Sequence, residues 1–456
     1  MKKEKIRTLV LVCLMGISVF AVLFTACKPD CDENDPNSDC YIPPVEKPTG
    51  YADLTDEIKG VRTLSADTVY TLKGFVYVLD GATLTIPAGT LIKGEKSSKA
   101  TLVIERGGKI MAQGTKEKPI VFTSAQPKGQ RNYGDWGGIV ICGKAKVNVP
   151  GGEARIEGGP RSFYGGNNDG DNSGTMTFCR IEFSGVEYQT DNEINGLTMG
   201  GVGNGTSIHH IQVSYCGDDS YEWFGGSVNC KYLVAFRGWD DEFDTDNGYS
   251  GKLQFLVGMR DKNVADQSKS NGFESDNDAS GSDNEPVTSP TFSNVSLFGP
   301  IDLAHIPTGG NGEFQASMHL RRNTKLKVFN SVFAGWPLGL FIDGTKCQDN
   351  AEAGTLVVKN CILAGMKDNF KSEFEETYFN RAGGNNQIKT INELNITNLS
   401  LTNPSFLPKS GSALLSGANF DGLDSYFERV NFQGAFGSED WTAGWCNFDP
   451  QNTDYK

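Results

Sequence analysis

From Gly74 onward, short β-branched runs alternate with glycine turns, and the runs resemble one another. TLTIPAGTLIKG, beginning at Thr83, returns after 18 residues as TLVIERGGKIMA, beginning at Thr101. LKVFNSVFAGW, from Leu326, returns after 30 residues as LVVKNCILAGM, with Asn330 matching Asn360 and Gly335 matching Gly365. VSYCGDDSYEWFGG (213–226) is echoed about 22 residues later by VAFRGWDDEFDTDNG (234–248). Such self-similarity marks a solenoid. One unit cannot cover its own apolar face, whereas stacking units at the interstrand spacing of ~4.8 Å builds a continuous core. Leu84, Ile86, Leu102 and Ile104 are then expected to form aliphatic ladders, and Asn330 and Asn360 an amide ladder at a turn. No helical periodicity is sustained before about residue 420. The expected class is all-β.

Charge and location narrow the partners. The net charge of the 456 residues is −14, which repels nucleic acid, and four histidines do not supply a His-rich zinc centre. Residues 1–8 are basic, Leu9 to Ala26 are largely apolar, and Cys27 follows. This start resembles a lipoprotein signal, which implies removal of 1–26 and acylation of Cys27 for anchoring in outer-membrane lipid; an uncleaved N-terminal anchor is the alternative. KPDCDENDPNSDC resembles the acidic sorting signal of lipoproteins displayed at the cell exterior. Of eleven cysteines, nine remain once Cys13 and Cys27 are set aside, so at least one is left over from disulfide pairing. Cys31 and Cys40 suit a local bridge, Cys347 and Cys361 could close another loop, and Cys142, Cys179, Cys216 and Cys230 read as small buried hydrophobes.

LTIPAGTLIKG, LVIERGGKIMAQGTKEKPIVFTS and GDWGGIVICG resemble right-handed parallel β-helix proteins of the pectin-lyase-like class. GDDSYEWFGG, WDDEFDTDNGYSGKLQ and GAFGSEDWTAGW narrow the resemblance to bacterial surface lipoproteins of uncharacterised function. It implies a single-stranded right-handed parallel β-helix with a small C-terminal cap. The expected organisation is signal 1–26, acidic tether 27–50, N-terminal cap 51–73, β-helix 74–410 and C-terminal cap 411–456. Asp261 to Ser289 reads as a long loop at a coil corner. FDGLDSYFERVNFQGAFG suggests a short amphipathic helix that, with Trp441 and Trp445, closes the last coil.

Two constellations carry chemistry. DGDNSG (169–174) and DNDASG (276–281) fit the opening of a calcium loop, with Asp169, Asp171 and Ser173, and Asp276, Asp278 and Ser280, as oxygen ligands. The bidentate Glu of such loops is missing, since Arg180 and Val287 occupy its places, and solvated turns are the competing reading. The second is an acidic–aromatic band: Asp218, Asp219, Tyr221, Glu222, Trp223, Trp239, Asp240, Asp241, Phe243, Asp244, Asp246 and Tyr249. The 22-residue offset stacks Asp218 and Asp219 beneath Asp240 and Asp241, where four carboxylates repel unless a proton, cation or cationic partner offsets them. Tyr221, Glu222, Trp223, Trp239, Asp244 and Tyr249 would serve sugar recognition if exposed, and core packing if not. Asp218, Asp219, Asp240 and Asp241, with Arg237 nearby, are the catalytic candidates for a hydrolase or lyase. Gly217-Asp218-Asp219 resembles the G-D-D element of β-helical polygalacturonases, and Gln189-Thr190-Asp191 faintly their upstream element. Their later G-H-G and R-x-K elements are missing, and His305 sits in AHIP. Arg321 and Arg322 are far off in sequence, and His209 and His210 should point to opposite faces of a strand. The expected function is a cell-surface lipoprotein binding an extracellular glycan, with calcium as candidate cofactor. The alternatives are a polysaccharide lyase or hydrolase using the same face, and a structural or adhesive rod.

Overall fold

The computed structural model describes residues 49–189, 192–305 and 312–455. The signal segment, Cys27, the Cys31–Cys40 pair, Thr190 and Asp191 lie outside the described residues. Among the described residues no helix is long and apolar enough to cross a membrane.

Two parallel sheets, of 17 and 11 strands, carry the fold. Successive coils stack in register: Tyr221 pairs with Phe243, Glu222 with Asp244 and Trp223 with Thr245, a 22-residue coil. Val332 pairs with Ile362, a 30-residue coil. The 18-residue repeat is different. Leu84 and Ile86 stack on Ile110 and Ala112 in the larger sheet, while Leu102 and Ile104 stack between Val76 and Val78 and Ile139 and Ile141 in the smaller one. All four point into the core, but they build two ladders on opposite walls instead of one. The strands resemble each other because both face the same interior with the same alternation.

A bend runs through the middle of the long strands Gly174–Glu182, Ser207–Ser214, Asn229–Phe236, Lys252–Met259 and Thr291–Phe298. At that bend Phe178, His210, Tyr232, Phe255, Asn294, Asn330 and Asn360 all have φ between 48° and 62°. A left-handed residue other than Gly costs roughly 1–2 kcal/mol, so each coil needs an offset. In the first four coils it is ring stacking, with centroids 4.3, 4.4 and 5.0 Å apart. Afterwards it is asparagine, which tolerates this conformation. Asn360 Nδ2 donates to Asn330 Oδ1 at 3.3 Å, the amide ladder expected from the repeat. Asn330 also accepts from the Asn419 amide at 2.8 Å. Asn330→Ala is therefore expected to cost about 2–3 kcal/mol, from conformation and hydrogen bonds together. A lowered urea midpoint would register it, with Asn330→Gly losing less because it keeps the backbone angle. The same bend corrects the histidines: His210 interrupts the alternation, so Ile208 and Ile211 are buried and both imidazoles lie on the outer side.

The ends differ from expectation. Residues 50–63 are themselves strands, paired with Thr68–Leu72, Phe75–Val78 and Thr83–Pro87, and so form a coil instead of a separate cap. The stretch 261–289 contains the strand Phe273–Ser275, because Phe273 joins the core stack 6.0 Å from Phe243. The last coil is covered by the helix Glu373–Phe379, whose Tyr378 and Phe379 enter the core. Its Ser372/Glu375 capping box is an S-x-x-E signal readable in the sequence. Residues 411–456 close no coil. They run back along the larger sheet: Gly434 N donates to Asn330 O at 2.7 Å, Tyr426 Oη to Cys230 O at 2.9 Å and Asn447 N to Gln212 Oε1 at 2.8 Å. Trp445 sits edge-on against Phe178 and His210, at 5.7 and 5.8 Å, so the bend ladder captures the tryptophans that the sequence assigned to the last coil. This returning segment is a strap along the sheet, and where the amphipathic helix was expected, at 420–437, it has turns and bends. Cys347 and Cys361 are free and buried, as are Cys142, Cys179, Cys216 and Cys230.

Candidate functional site

The site is the outer face of the 11-stranded sheet. Along each strand, residues alternate between core and exterior. Tyr221, Trp223, Phe243 and Phe273 point inward, and Tyr249 joins them from the following turn. Tyr221, Trp223 and Tyr249 are 0% exposed. Tyr221 stacks 5.4 Å from Phe243, Trp223 stacks 5.4 Å from Tyr249, and the Tyr221 hydroxyl donates to Ile211 O at 2.8 Å. These three are thus core residues and not sugar platforms, because alternation that turns Glu222 outward turns its neighbours in. Trp239 is the aromatic of the band left half-buried, edge-on to Tyr133 at 5.3 Å.

The outward residues line up across coils as Thr198, Glu222, Asp244, Glu274 and His319. Asp218, Asp219, Asp240 and Asp241 belong to the turns entering these strands. Gly217 permits the entry, since a Cβ there would stand 2.4 Å from Gly185 O and 2.9 Å from Gly134 N. The predicted stacking of the acids holds: Asp241 N donates to Asp219 Oδ1 at 2.8 Å. Three groups bring one oxygen of each member within 4.8 Å of the others: Asp218, Asp219 and Asp240; Asp219, Glu222 and Asp244; and Asp241, Asp244 and Glu274.

Neutral donors satisfy part of this charge. Ser268 Oγ donates to Asp240 Oδ2 at 2.7 Å, Asn271 Nδ2 to Glu274 Oε2 at 3.1 Å, Asn271 N to Asp241, and Asn195 Nδ2 to Glu222. Arginines enter from two sides: buried Arg260 pairs with Glu242 at 3.0 Å and donates to the Asp240 carbonyl, and Arg321 and Arg322 approach from the Glu274 end. Arg321 pairs with Glu274 and, at 2.8 Å, with Asp276; Arg322 reaches Asp276 at 2.7 Å. His319 lies 3.5 Å from Glu274 and 3.1 Å from Asp343. Arg321 and Arg322 are remote in sequence but follow the strand Ala316–Leu320, two rungs along from Phe243–Asp246. Arg237 is turned away: it pairs with Asp261 and lies over Tyr215 at 4.8 Å.

Burial first, then neighbouring acids, pushes the carboxyls of Asp218, Asp219, Glu222, Asp241 and Asp244 well above the ordinary range. Burial raises Asp240 to about 7 and Asp246 to about 8. Asp240 Oδ1, Asp244 Oδ1, Asn195 Oδ1 and Thr198 Oγ1 are buried without a hydrogen-bond partner. Oxygen donors of this kind, dense and underpaired, fit a hard divalent cation.

The two D-x-D-x-S-G loops are built otherwise. Asp169 is held by the Lys146 amide and ammonium, both at 3.0 Å, and Asp171 accepts from Lys144 N at 2.8 Å. Ser173 is buried away from both, its amide bonded to Thr206 Oγ1 at 2.9 Å. Asp276 is occupied by the two arginines, while Asp278 accepts from Ser280 N at 2.9 Å and Ser280 Oγ at 2.7 Å. These are turn and ion-pair contacts, and none of these residues belongs to an acid group gathered closely enough to share a cation among the described residues. Glu274, Thr198, Asn195 and Asn271 went unrecognised in the sequence. The signal available was register, since Glu274 lies 30 residues beyond Asp244 in a coil of irregular length.

Stacked parallel sheets with an acid-lined outer face define a parallel β-helix protein. A family model described as "Pectate-lyase like beta helix domain" matches residues 56–446, and the chain belongs to that family. Comparison with curated proteins and with solved structures returns no match.

Proposed function

We propose that this chain is a lipid-anchored surface protein, held through Cys27 at the outer membrane, that binds an extracellular glycan along the acid face. Calcium or a similar divalent cation would sit among Asp219, Glu222, Asp241, Asp244 and Glu274. The observation carrying this reading is the file of outward carboxylates stacked one per coil, of which Glu274 is the member paired with an arginine, Arg321. A cation held there supplies positive charge to which sugar hydroxyls or carboxylates can bind. Membership of a β-helix family named for its likeness to pectate lyase supports a polysaccharide ligand, and half-buried Trp239 beside Asp240 offers an apolar edge for a sugar ring. Retention on a polysaccharide array in calcium, lost in EDTA and without cleavage, is the expected result. Retention unchanged by EDTA would refute the cation's part, and absence of retention on every polysaccharide would refute the glycan.

One observation favours cleavage as a second reading. Asp240, raised to about 7 and grouped with Asp218 and Asp219, could deliver a proton at neutral pH. These oxygens are closer than the ~5–5.5 Å of retaining glycosidases, and Arg321 is engaged by two carboxylates instead of free to act as a base, so binding leads. New reducing ends or ultraviolet-absorbing unsaturated sugars after incubation would reverse that order, and Asp240→Asn should then lower the rate at least about a hundredfold.

A further inference from the structure

The bend of the larger sheet holds a titratable pair far from the acid face. His210 is stacked between Phe178 and Tyr232, with centroids 4.3 and 4.4 Å away. Trp445 and Trp441 close over it edge-on at 5.8 and 6.4 Å. Its Nδ1 meets Nδ1 of His209 at 2.9 Å, a link that needs one nitrogen as acceptor and that two imidazoliums cannot make. Both indoles come from the strap, and both are buried there. Beside them Trp445 O accepts from Arg180 at 3.3 Å and Asn447 N donates to Gln212 Oε1 at 2.8 Å.

No charged neighbour offsets a proton on this pair. Lys116 acts on His210 and opposes a second positive charge. Lys231, in register beside His209, is held by Glu428 at 2.7 Å and lies over Tyr426. Glu439 and Asp440 act on Tyr232 and Cys446. The histidines in ion pairs among the described residues are His305 and His319. Burial first, then His209 and Lys116, holds His210 down at about 4, and burial lowers His209 as well. Stacked ring faces favour a cation, but here desolvation outweighs them.

We propose that strap residues 439–448 form an acid-released latch: protonation of the His209–His210 pair frees Trp441 and Trp445 from the ring stack and uncovers the bend. Docking against neutral imidazole is favoured in full above the ordinary histidine value of ~6.5. That contribution is lost as pH falls toward about 4. The Lys231–Glu428 and Lys252–Asp424 pairs tie down the strap ahead of the latch, so the release is local.

Hydrogen exchange of the full chain in EDTA, corrected for the pH dependence of intrinsic exchange, tests the latch. From about pH 7.5 to about pH 5, protection across 439–448 should fall at least about tenfold, while the core strand Tyr221–Phe224 stays protected. Protons at the acid face act on stability in the opposite direction, so they do not imitate release. His210→Phe should remove the pH dependence and keep the latch docked, since Phe178 and Phe255 hold the same corner in neighbouring coils. This variant also keeps every carboxylate of the strap. Unchanged protection in the parent at the lower pH, the same loss in His210→Phe, or a parallel loss at Tyr221–Phe224 would each overturn the inference.

Discussion

Trp223→Ala should lower the unfolding free energy by about 3–5 kcal/mol and leave glycan affinity of the folded protein unchanged. The indole is wholly buried between coils, stacked on Tyr249 and close to Phe243 at 6.4 Å. Its removal leaves a cavity that the stacked strands cannot collapse into, because each strand is fixed by hydrogen bonds on both sides. Urea denaturation and glycan retention, measured on the same sample, separate the two effects. A variant of ordinary stability that binds glycan poorly would return Trp223 to the ligand and contradict the packing account. Trp239→Ala should behave oppositely, with a modest stability loss and an affinity loss of about 1 kcal/mol.

The second large effect concerns Asp244, which like Asp219 belongs to two of the three acid groups. Asp244→Asn should weaken calcium binding at least about tenfold, since it removes one charged oxygen ligand from both groups at once. Without calcium its effect on stability has the other sign. The Asp244 carboxyl is raised in the folded chain, chiefly by burial and then by Glu274 and Asp276. A raised carboxyl favours folding while protonated, and that contribution is lost as pH climbs through the folded value. Asn carries no such penalty. In EDTA the variant should therefore match the parent near pH 4 and melt higher than it near pH 8. Thermal melts at the two pH values decide this, and a variant that melts lower than the parent at pH 8 in EDTA would count against the repulsion.

The solenoid was legible because strand and turn residues recur at coil length, and the 22- and 30-residue offsets gave true neighbours. The 18-residue offset misled because strands on opposite walls carry the same inward pattern; sequence similarity alone does not distinguish a coil from a fraction of one. Alternation at Tyr221-Glu222-Trp223 was equally readable: a strand that exposes Glu222 must bury both neighbours. The aromatics looked like sugar platforms only while the strand's facing was undecided. Arg321 and Glu274 were not legible, since their approach to Asp244 depends on coil lengths set by irregular insertions. The strap was missed for a different reason. Trp441 and Trp445 have an obvious need for apolar cover, but sequence does not say which end of the rod supplies it, and the stacked Phe178, His210 and Tyr232 rings lie many coils away.

Melting temperature as a function of pH, with and without calcium, probes the acid face most directly. Given the raised Asp240 and Asp246 carboxyls, at about 7 and about 8, stability in EDTA should fall as pH rises from about 4 to about 8. Calcium at a hundred times its dissociation constant should restore about 2.7 kcal/mol at the upper end and do little at the lower, where protons occupy the same oxygens. A calcium effect of equal size at both ends, or none at either, would contradict the assignment of these carboxylates as a cation site.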